Sequence, residues 1–157
     1  MKIHFWSLGK AHEPYVKLGI EIFTKRISHY YTVEWKLISS PKIAPSLSKE
    51  DFKKAESEII LNLLKPEDVL VVLDEKGKQF TSEQLAELIQ FNANKSAKIL
   101  VFLIGGAFGV DEKIIKRANY VLSLSQLVFP HQLVRLILAE QVYRACTIIR
   151  NEKYHHS

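Results

Sequence analysis

Two short apolar runs in the middle of the chain constrain its fold more than any other feature. Val69–Leu73 and Lys98–Ile104 are rich in Val, Ile and Leu and show no alternation of polar with apolar residues. Such runs are typical of central strands in a parallel sheet that is covered on both faces. Segments with the helical spacing of apolar residues separate the strands of this chain. Because strands alternate with helices, the sequence predicts an α/β fold with a mostly parallel sheet.

The other elements follow the same alternation. The segment 39–48 contains two prolines and four serines and is predicted to be a mobile loop. Residues 74–78 are predicted to turn the chain. Further strands are predicted over Lys2–Leu8, Thr32–Ile38 and Tyr120–Leu124, and helices over Glu13–Ser28, Ser48–Leu64, Thr81–Phe91, Asp111–Arg117 and Pro130–Ile149.

The chain length sets the scale of the fold. A chain of 157 residues with 47% apolar residues can build one domain with a substantial core. We therefore expect a single domain, 1–157, with a five-stranded sheet flanked by helices. In the strand at 32–38, Val33, Trp35 and Leu37 alternate with polar residues and predict one buried face. In the helix at 48–64, the predicted buried stripe is Ala55, Ile59 and Leu63.

Charge and cysteine content restrict the class of protein only weakly. The chain has 22 basic and 17 acidic residues, a formal charge of +5. This excess favours an anionic partner, but it suits an ordinary basic surface equally well. The lone Cys146 cannot form an internal disulfide, which fits a reducing cytoplasm and a core position. No segment resembles a signal peptide, and the longest apolar stretch, 99–108, is too short to span a bilayer, so we expect neither secretion nor membrane insertion.

A glycine-rich segment, Ile104–Gly109, ends the fourth predicted strand. Glycines permit positive φ angles and close approach of a ligand to the backbone. Spacing alone favours a plain tight turn over a ligand loop by about two to one. A dinucleotide-binding fold would place its glycines after the first strand, and the segment lacks the Lys-Ser/Thr ending of a P-loop. A ligand pocket, if present, is therefore expected in the C-terminal half.

The last helix is apolar over more than half of its circumference. One stripe is predicted to face the sheet: Val134, Leu138, Val142, Ala145 and Ile149. A second apolar side includes Leu133, Leu136 and Tyr143. One sheet face cannot cover both sides, so the second is a candidate subunit interface in a two-fold symmetric dimer. The alternative is a helix buried entirely within its own domain.

Motifs spread over nearly the whole chain resemble the RlmH family of SPOUT methyltransferases. The matching residues are Met1-Lys2-Ile3, Gly9-Lys10, Leu73-Asp74, Gly77-Lys78, Leu103-Ile104-Gly105-Gly106, Phe129-Pro130-His131, Glu140, Tyr143-Arg144-Ala145 and Tyr154-His155. The resemblance implies a SPOUT fold with a C-terminal trefoil knot, a homodimer, and S-adenosylmethionine as cofactor. The implied reaction is methylation of N3 of a pseudouridine in large-subunit (23S) ribosomal RNA on the assembled ribosome.

The resemblance also implies which residues hold the cofactor. They are Leu73, Gly105, Leu124, Ser125, Gln126, Leu127, Val128 and Phe129. The bend at 124–129 contains no Lys or Arg, which suits a positively charged sulfonium next to apolar walls. Without the resemblance, this bend is an ordinary connection between strand and helix.

The candidate catalytic residues are His131, Arg144, Tyr154 and His155. His131 could orient the base or accept a proton, or it could simply bond to the helix start. Arg144 could contact phosphate or form a surface pair with Glu140. The tail 150–157 is expected to be functional, because Tyr154 and its flanking imidazoles can stack on an extruded base; the alternative is a frayed end.

Three further expectations concern RNA contacts and metals. Arg135 could contact phosphate, as could a basic N-terminal helix with Lys17, Lys25 and Arg26. His156 stands where the family commonly has Arg or Lys, so a fixed positive charge is missing there. Metal binding by the pair His155 and His156 is not expected, because no Cys or carboxylate accompanies the pair at the spacing of metal ligands.

Two other functions remain open from the sequence. The first is a non-catalytic ribosome-binding or assembly factor that keeps the fold but has lost the cofactor. The second is a SPOUT methyltransferase that acts on transfer RNA. Cofactor binding separates the first from an enzyme, and the identity of the methylated nucleoside separates the second.

Overall fold

The computed structural model describes residues 1–42 and 46–155. Within them, five strands alternate with five helices. The strands are β1 (Lys2–Leu8), β2 (Thr32–Ile38), β3 (Val69–Gln79), β4 (Ile99–Ile104) and β5 (Tyr120–Ser123). The helices are α1 (Pro14–Ile27), α2 (Lys49–Leu63), α3 (Ser82–Asn94), α4 (Glu112–Arg117) and α5 (His131–Ile149). Residues 43–45 of the predicted loop and His156 lie outside the described residues.

The five strands form one sheet in the order β2-β1-β4-β3-β5, and each neighbouring pair is parallel. This confirms the predicted fold class. The runs in β3 and β4 are interior strands, as their unbroken apolar character indicated. Strand order and register do not trace a knot, so the C-terminal trefoil knot stays a prediction.

Helices cover both faces of the sheet and divide the core in two. Helices α1, α3 and α5 pack over one face, where the strands contribute side chains such as Phe5, Val71 and Phe102. Helices α2 and α4 cover the other face, over Trp6, Val72 and other strand residues. Alternate residues of the same strand thus contribute side chains to opposite layers, because successive side chains of a strand point to opposite faces of the sheet. Cys146 is buried in the first layer, where burial raises the pKa of its thiol to about 12.

Local sequence signals explain where the helices begin. Thr81 and Gln84 form a capping box at the start of α3: the Thr81 hydroxyl accepts from the Gln84 amide and the Gln84 side chain accepts from the Thr81 amide. Ser48 caps α2 and Asp111 caps α4, each through a side-chain oxygen that accepts a hydrogen bond from a backbone amide of the first turn. Pro130 immediately precedes α5, one position earlier than the first helical turn in which the sequence placed it.

Three sequence expectations were wrong. Strand β3 continues to Gln79 instead of ending at Leu73, because residues 74–77 bulge out and both Leu73 and Lys78 pair with Leu122. Helix α2 buries a different stripe from the one predicted: Phe52, Glu56, Ser57 and Ile60 are buried, whereas Leu63 is exposed. Leu37 is also exposed, because β2 is an edge strand.

Candidate functional site

A cavity of about 860 Å³ opens at the carboxyl ends of β3, β4 and β5. Ligands of parallel α/β sheets typically bind at this edge. Most residues of the predicted cofactor set line it, together with His131: Leu73, Gly105, Leu124, Ser125, Leu127, Val128 and Phe129. Gln126 is exposed on the bend and is the member of that set that does not line the cavity. The structure therefore brings together residues that are more than fifty positions apart in the sequence.

The glycine turn forms one wall of this cavity. A Cβ on Gly105 would lie 2.8 Å from Val110 Cγ1, and a Cβ on Gly106 would lie 2.8 Å from both carboxyl oxygens of Glu56. A side chain at Gly105 or Gly106 would therefore force Val110 or Glu56 to move. A positive φ occurs in this turn at Gly109, whose N–H donates to the Gly106 carbonyl at 3.0 Å. The positive φ that glycine permits thus occurs at Gly109 and not at Gly105 or Gly106.

Helix α2 supports the same turn from behind. The Phe108 ring meets the Phe52 ring edge-on, with 5.7 Å between centroids. The Lys49 ammonium lies 5.5 Å from the centroid of the Phe108 ring, and Lys53 lines the cavity. One face of α2 thus holds the turn in place, a role that the sequence gave no reason to assign to this helix.

The bend at 124–129 is the opposite wall. The Ser123 hydroxyl donates to the Ser125 carbonyl at 3.0 Å, and the Ser125 hydroxyl accepts from the Leu127 amide at 2.9 Å. These short-range bonds hold the bend without regular secondary structure. Leu127 and Val128 are 72% and 83% exposed. Two such adjacent apolar side chains on a cavity rim are typical of a binding surface.

Charged groups of both signs surround the cavity. Three carboxylates, those of Asp74, Glu75 and Glu112, line it together with the ammonium groups of Lys53 and Lys76. The Asp74 carboxylate accepts from the Lys76 amide at 2.9 Å and so shapes the β3 bulge. The lysines lie on α2 and β3, while the bend itself carries no cation. The charge distribution is therefore compatible with a cationic ligand next to the bend.

His131 begins α5 at the side of the cavity. Loss of water around the ring lowers the pKa of His131, and the positive charge of Arg135 lowers it further. An imidazole with a lowered pKa is neutral over a wider pH range. His131 is therefore available as a hydrogen-bond or proton acceptor at neutral pH.

Arg135 is buried, so the expectation that it contacts phosphate is wrong. Its side chain is 1% exposed, and it donates to the Ser7 hydroxyl and to the carbonyls of Leu8 and Lys10 at 2.8 to 3.3 Å. Gln132 adds bonds to the Ala11 carbonyl and the Glu13 amide at 3.1 and 3.0 Å. These contacts fasten the start of α5 to the loop that follows β1.

The other predicted catalytic residues form a separate cluster, the tail cluster, at the far end of α5. The Arg144 guanidinium donates to Glu140 at 2.6 Å and lies 4.7 Å from the Tyr154 ring centroid. The Tyr154 hydroxyl donates to the same carboxylate at 3.1 Å. His155 Nε2 lies 2.7 Å from a carboxylate oxygen of Glu83. The predicted Glu140–Arg144 pair is thus present, and the tail up to His155 is fixed to its own chain.

The tail cluster and the cavity are well separated within one chain. His131 and Arg144 are thirteen residues apart on one helix, a rise of about 20 Å along its axis. The structure therefore places His131 at the cavity but does not bring Arg144, Tyr154 and His155 to it.

Comparison with known proteins places the chain in a family. The family model described as "Predicted SPOUT methyltransferase" matches residues 1–155. The chain belongs to the SPOUT methyltransferases.

Relatives of this SPOUT protein carry the name "Ribosomal RNA large subunit methyltransferase H". The one from Cytophaga hutchinsonii is 46% identical over 99% of this chain and 100% of its own length. Those from Christiangramia forsetii and Trichlorobacter lovleyi are 42% and 40% identical over 99% of this chain and 99% and 100% of their own lengths. The chain therefore belongs to the RlmH family, as its motifs indicated.

The outward apolar surface of the SPOUT protein differs from the predicted interface. Leu136 packs closely against α1, because a Cβ on Gly19 would lie 2.6 Å from its Cδ1. Tyr143 packs against Phe23 and Tyr154. The exposed apolar residues near this side lie on α1 instead: Tyr15, Leu18 and Ile22 are 63%, 66% and 40% exposed. They form a strip that we call the α1 strip.

Residues 1–42 and 46–155 contain no helix that is long and apolar enough to cross a membrane. In the same residues, no group of three or more His, Cys, Asp or Glu side chains could hold a metal ion.

Several cavity residues of the SPOUT protein were missed by sequence reasoning. Lys53 and Ile115 line the cavity, and Glu56 lies behind Gly106. The sequence did indicate that Glu56 is buried, because it lies four residues from both Phe52 and Ile60 and so on the same side of the helix as these two apolar residues.

Proposed function

We propose that the protein is an S-adenosylmethionine-dependent methyltransferase that methylates N3 of a pseudouridine in 23S ribosomal RNA, on the assembled ribosome. The observation that carries the proposal is the cavity between the glycine turn and the cation-free bend, in a chain 46% identical to a named ribosomal RNA methyltransferase. A reducing cytoplasm, where ribosomes are found, agrees with the single buried Cys146.

The cavity residues fit the cofactor. Gly105 lines the cavity with main chain and carries no side chain that would fill it, and the bend offers main-chain groups and apolar side chains to an adenine. We propose that Leu73, Gly105 and the bend residues 124–129 hold the cofactor, with Gln126 contributing main-chain groups only. When bound, S-adenosylmethionine supplies an electrophilic methyl group. The three carboxylates around the cavity favour its positive charge.

The chain's own task at the acceptor is to place the base and remove its proton. The acceptor N3 is an imide nitrogen that must lose a proton before or during attack on the methyl carbon. We propose that neutral His131 orients the base or accepts this proton, because it is the imidazole on the cavity wall and its pKa is lowered. Arg144, Tyr154 and His155 then serve the RNA, through phosphate contact and base stacking.

A homodimer would bring the tail cluster of one subunit next to the cavity of the other. Within one chain they are separated by about 20 Å of helix, so we propose that the tail of one subunit, residues 150–157, serves the cavity of the other. The exposed α1 strip supplies an apolar surface for this contact. Analytical ultracentrifugation tests it: Leu18→Glu should dissociate the dimer, and Leu63→Glu, on an exposed leucine of α2, should not.

The proposed function is tested by incubating the protein with isotope-labelled S-adenosylmethionine and either ribosomes or transfer RNA. Mass mapping should locate the label on N3 of one pseudouridine of 23S RNA. Label on transfer RNA would establish the transfer-RNA enzyme instead. Ribosome binding without methyl transfer, and without calorimetric heat from the cofactor, would establish the non-catalytic factor.

A further inference from the structure

Helix α2 places an acidic side chain in the apolar interior. Glu56 is 2% exposed, between the buried Phe52 and Ile60 of the same stripe. Its Oε1 accepts a hydrogen bond from the Ser40 hydroxyl at 2.6 Å. Its Oε2 is buried and has no hydrogen-bond partner in the described part of the chain. An apolar side chain of similar size would stabilise this position better, so stability does not explain the presence of Glu56.

The carboxyl group of Glu56 lies directly behind the wall of the cavity. Gly106 lines the cavity and Glu56 does not. A Cβ on Gly106 would lie 2.8 Å from both oxygens of Glu56 and 3.2 Å from its carboxyl carbon. The glycine is therefore a thin partition between the carboxyl group and the space where a ligand binds. Movement of the wall and placement of the carboxyl group are mechanically linked.

No cation within the described residues balances Glu56. Among the described residues, no Lys, Arg or His nitrogen forms a salt bridge with its oxygens. The nearby lysines of α2 are directed elsewhere, Lys49 over the Phe108 ring and Lys53 into the cavity. Burial raises the pKa of the Glu56 carboxyl group, while the Ser40 hydrogen bond lowers it. Glu56 can therefore interact with the glycine turn through hydrogen bonds, and it is not one partner of any ion pair that the described residues form.

We propose that Glu56 is a positioning residue for the cofactor cavity: held by Ser40, it supports the Gly105–Gly106 wall from behind and supplies its free oxygen to that wall when the cavity is filled. The ligand's identity rests on the proposed function. Glu56 touches neither the ligand nor the reacting atoms. Its effect is on cofactor affinity, through the conformation of the turn.

Replacement of Glu56 by residues of similar size tests this role by calorimetry with S-adenosylhomocysteine. Glu56→Leu keeps the bulk but removes the hydrogen bonds, and should weaken binding about tenfold while leaving the melting temperature unchanged or higher. Glu56→Gln restores hydrogen bonding and should bind within about threefold of the parent. The matched controls are Glu58→Leu and Glu58→Gln, on an exposed glutamate of the same helix. Full affinity in Glu56→Leu would overturn the proposal.

A milder variant covers the case in which Glu56→Leu does not fold. Ser40→Ala removes the hydroxyl that holds the carboxyl group and should weaken binding about threefold. Unchanged affinity in Ser40→Ala would contradict the link between Ser40 and the wall.

A double-mutant cycle tests the contact between Glu56 and Gly106. Gly106→Ala places a methyl group against the carboxyl group and should weaken binding about tenfold or more. Adding Glu56→Ala removes the obstruction, so the double variant should bind more tightly than Gly106→Ala alone. Additive losses would show that the two residues are not coupled. The control pair, Gly106→Ala with Glu58→Ala, should be additive.

Failure of the proposed function is distinguishable from failure of this role. If the parent protein neither binds S-adenosylhomocysteine nor transfers methyl groups, the proposed function is wrong. The role of Glu56 is then judged by hydrogen exchange of residues 105–110 in the unliganded protein. Faster exchange in Glu56→Leu but not in Glu56→Gln would support it, and unchanged exchange in both would refute it.

Discussion

The two ends of helix α5 carry the two groups of predicted catalytic residues, and they are built differently. At the N-terminal end, His131 borders a cavity walled by main chain and apolar side chains, and buried Arg135 fixes the helix to the loop after β1. At the C-terminal end, Arg144 and Tyr154 converge on the single carboxylate of Glu140. The first is a preformed cavity, whereas the second is a set of partly exposed polar contacts.

This difference agrees with the separate roles proposed for the two ends. Buried, hydrogen-bonded groups such as Arg135 are costly to rearrange, so the start of α5 keeps its position with or without a ligand. Arg144 and Glu140 are 25% and 19% exposed in their side chains, and ion pairs near the surface contribute little to stability. The tail cluster can therefore exchange its internal contacts for RNA contacts at low cost.

The largest expected effect is at the N-terminal end. His131→Gln should lower the rate of methyl transfer by about 10²- to 10⁴-fold, the usual contribution of a proton acceptor. Cofactor affinity, measured by calorimetry, should change far less. A variant that methylates ribosomes at the parent rate would remove His131 from the mechanism.

The pH profile checks the same assignment. The partial loss of water around the ring and the positive charge of Arg135 lower the pKa of His131, so the neutral, proton-accepting form persists to lower pH. The acidic limb of kcat/KM should therefore lie below pH 6.5, the ordinary value for His, and should be absent in His131→Gln. A limb above that pH would point to another group.

The next effect is on the cavity wall. Gly105→Val brings a side chain within reach of Val110 and into the cavity, and should weaken cofactor binding about 100-fold. Circular dichroism and the melting temperature show whether the fold survives. If a folded Gly105→Val protein binds the cofactor normally, the cavity is not the cofactor site.

The sequence was sufficient for the strands and helices because their signals are local. The unbroken run at 69–73, the capping box at Thr81 and Gln84, and Pro130 each mark a boundary without knowledge of the rest of the chain. The bulge at 74–77 was missed, because it depends on how far β3 pairs with β5. The buried stripe of α2 was misplaced, because which side of a helix faces the sheet is a tertiary property.

The site was predictable only where the family motifs supplied it. Resemblance singled out Gly105 and the bend as cavity residues, whereas without it the glycine segment is a plain tight turn and the bend an ordinary connection between strand and helix. Arg135 was misread because a helical Arg is usually exposed, and only the fold brings Ser7 and the carbonyls of Leu8 and Lys10 to its guanidinium. Glu56 was missed because its link to the cavity depends on its contact with Gly106, which lies fifty residues further along the chain.

A smaller, diagnostic effect comes from mixing two inactive variants. If the tail of one subunit serves the cavity of the other, His131→Gln and Arg144→Gln each inactivate both sites of their own dimers. In a mixed dimer, the cavity with intact His131 is completed by the tail with intact Arg144, while the other site lacks both residues. Statistical exchange makes half of the dimers mixed, so about a quarter of the parent activity should return. Mixing that restores no activity, with exchange verified by mass spectrometry, would show that the two ends act within one chain.

The smallest expected effect separates the stability of the tail cluster from its function. Tyr154→Phe removes the hydroxyl that donates to Glu140 but keeps the ring beneath Arg144 and beside Tyr143. A partly exposed hydrogen bond of this kind contributes about 1 kcal/mol at most, so denaturant unfolding should show a loss no larger than that. Tyr154→Ala also removes the ring that packs beside Tyr143, so it should lower the stability further. It should also raise the KM for ribosomes more than Tyr154→Phe does, because it removes the stacking surface. Equal KM values for the two variants would mean that the ring does not contact RNA, and the tail would then act through its charges alone.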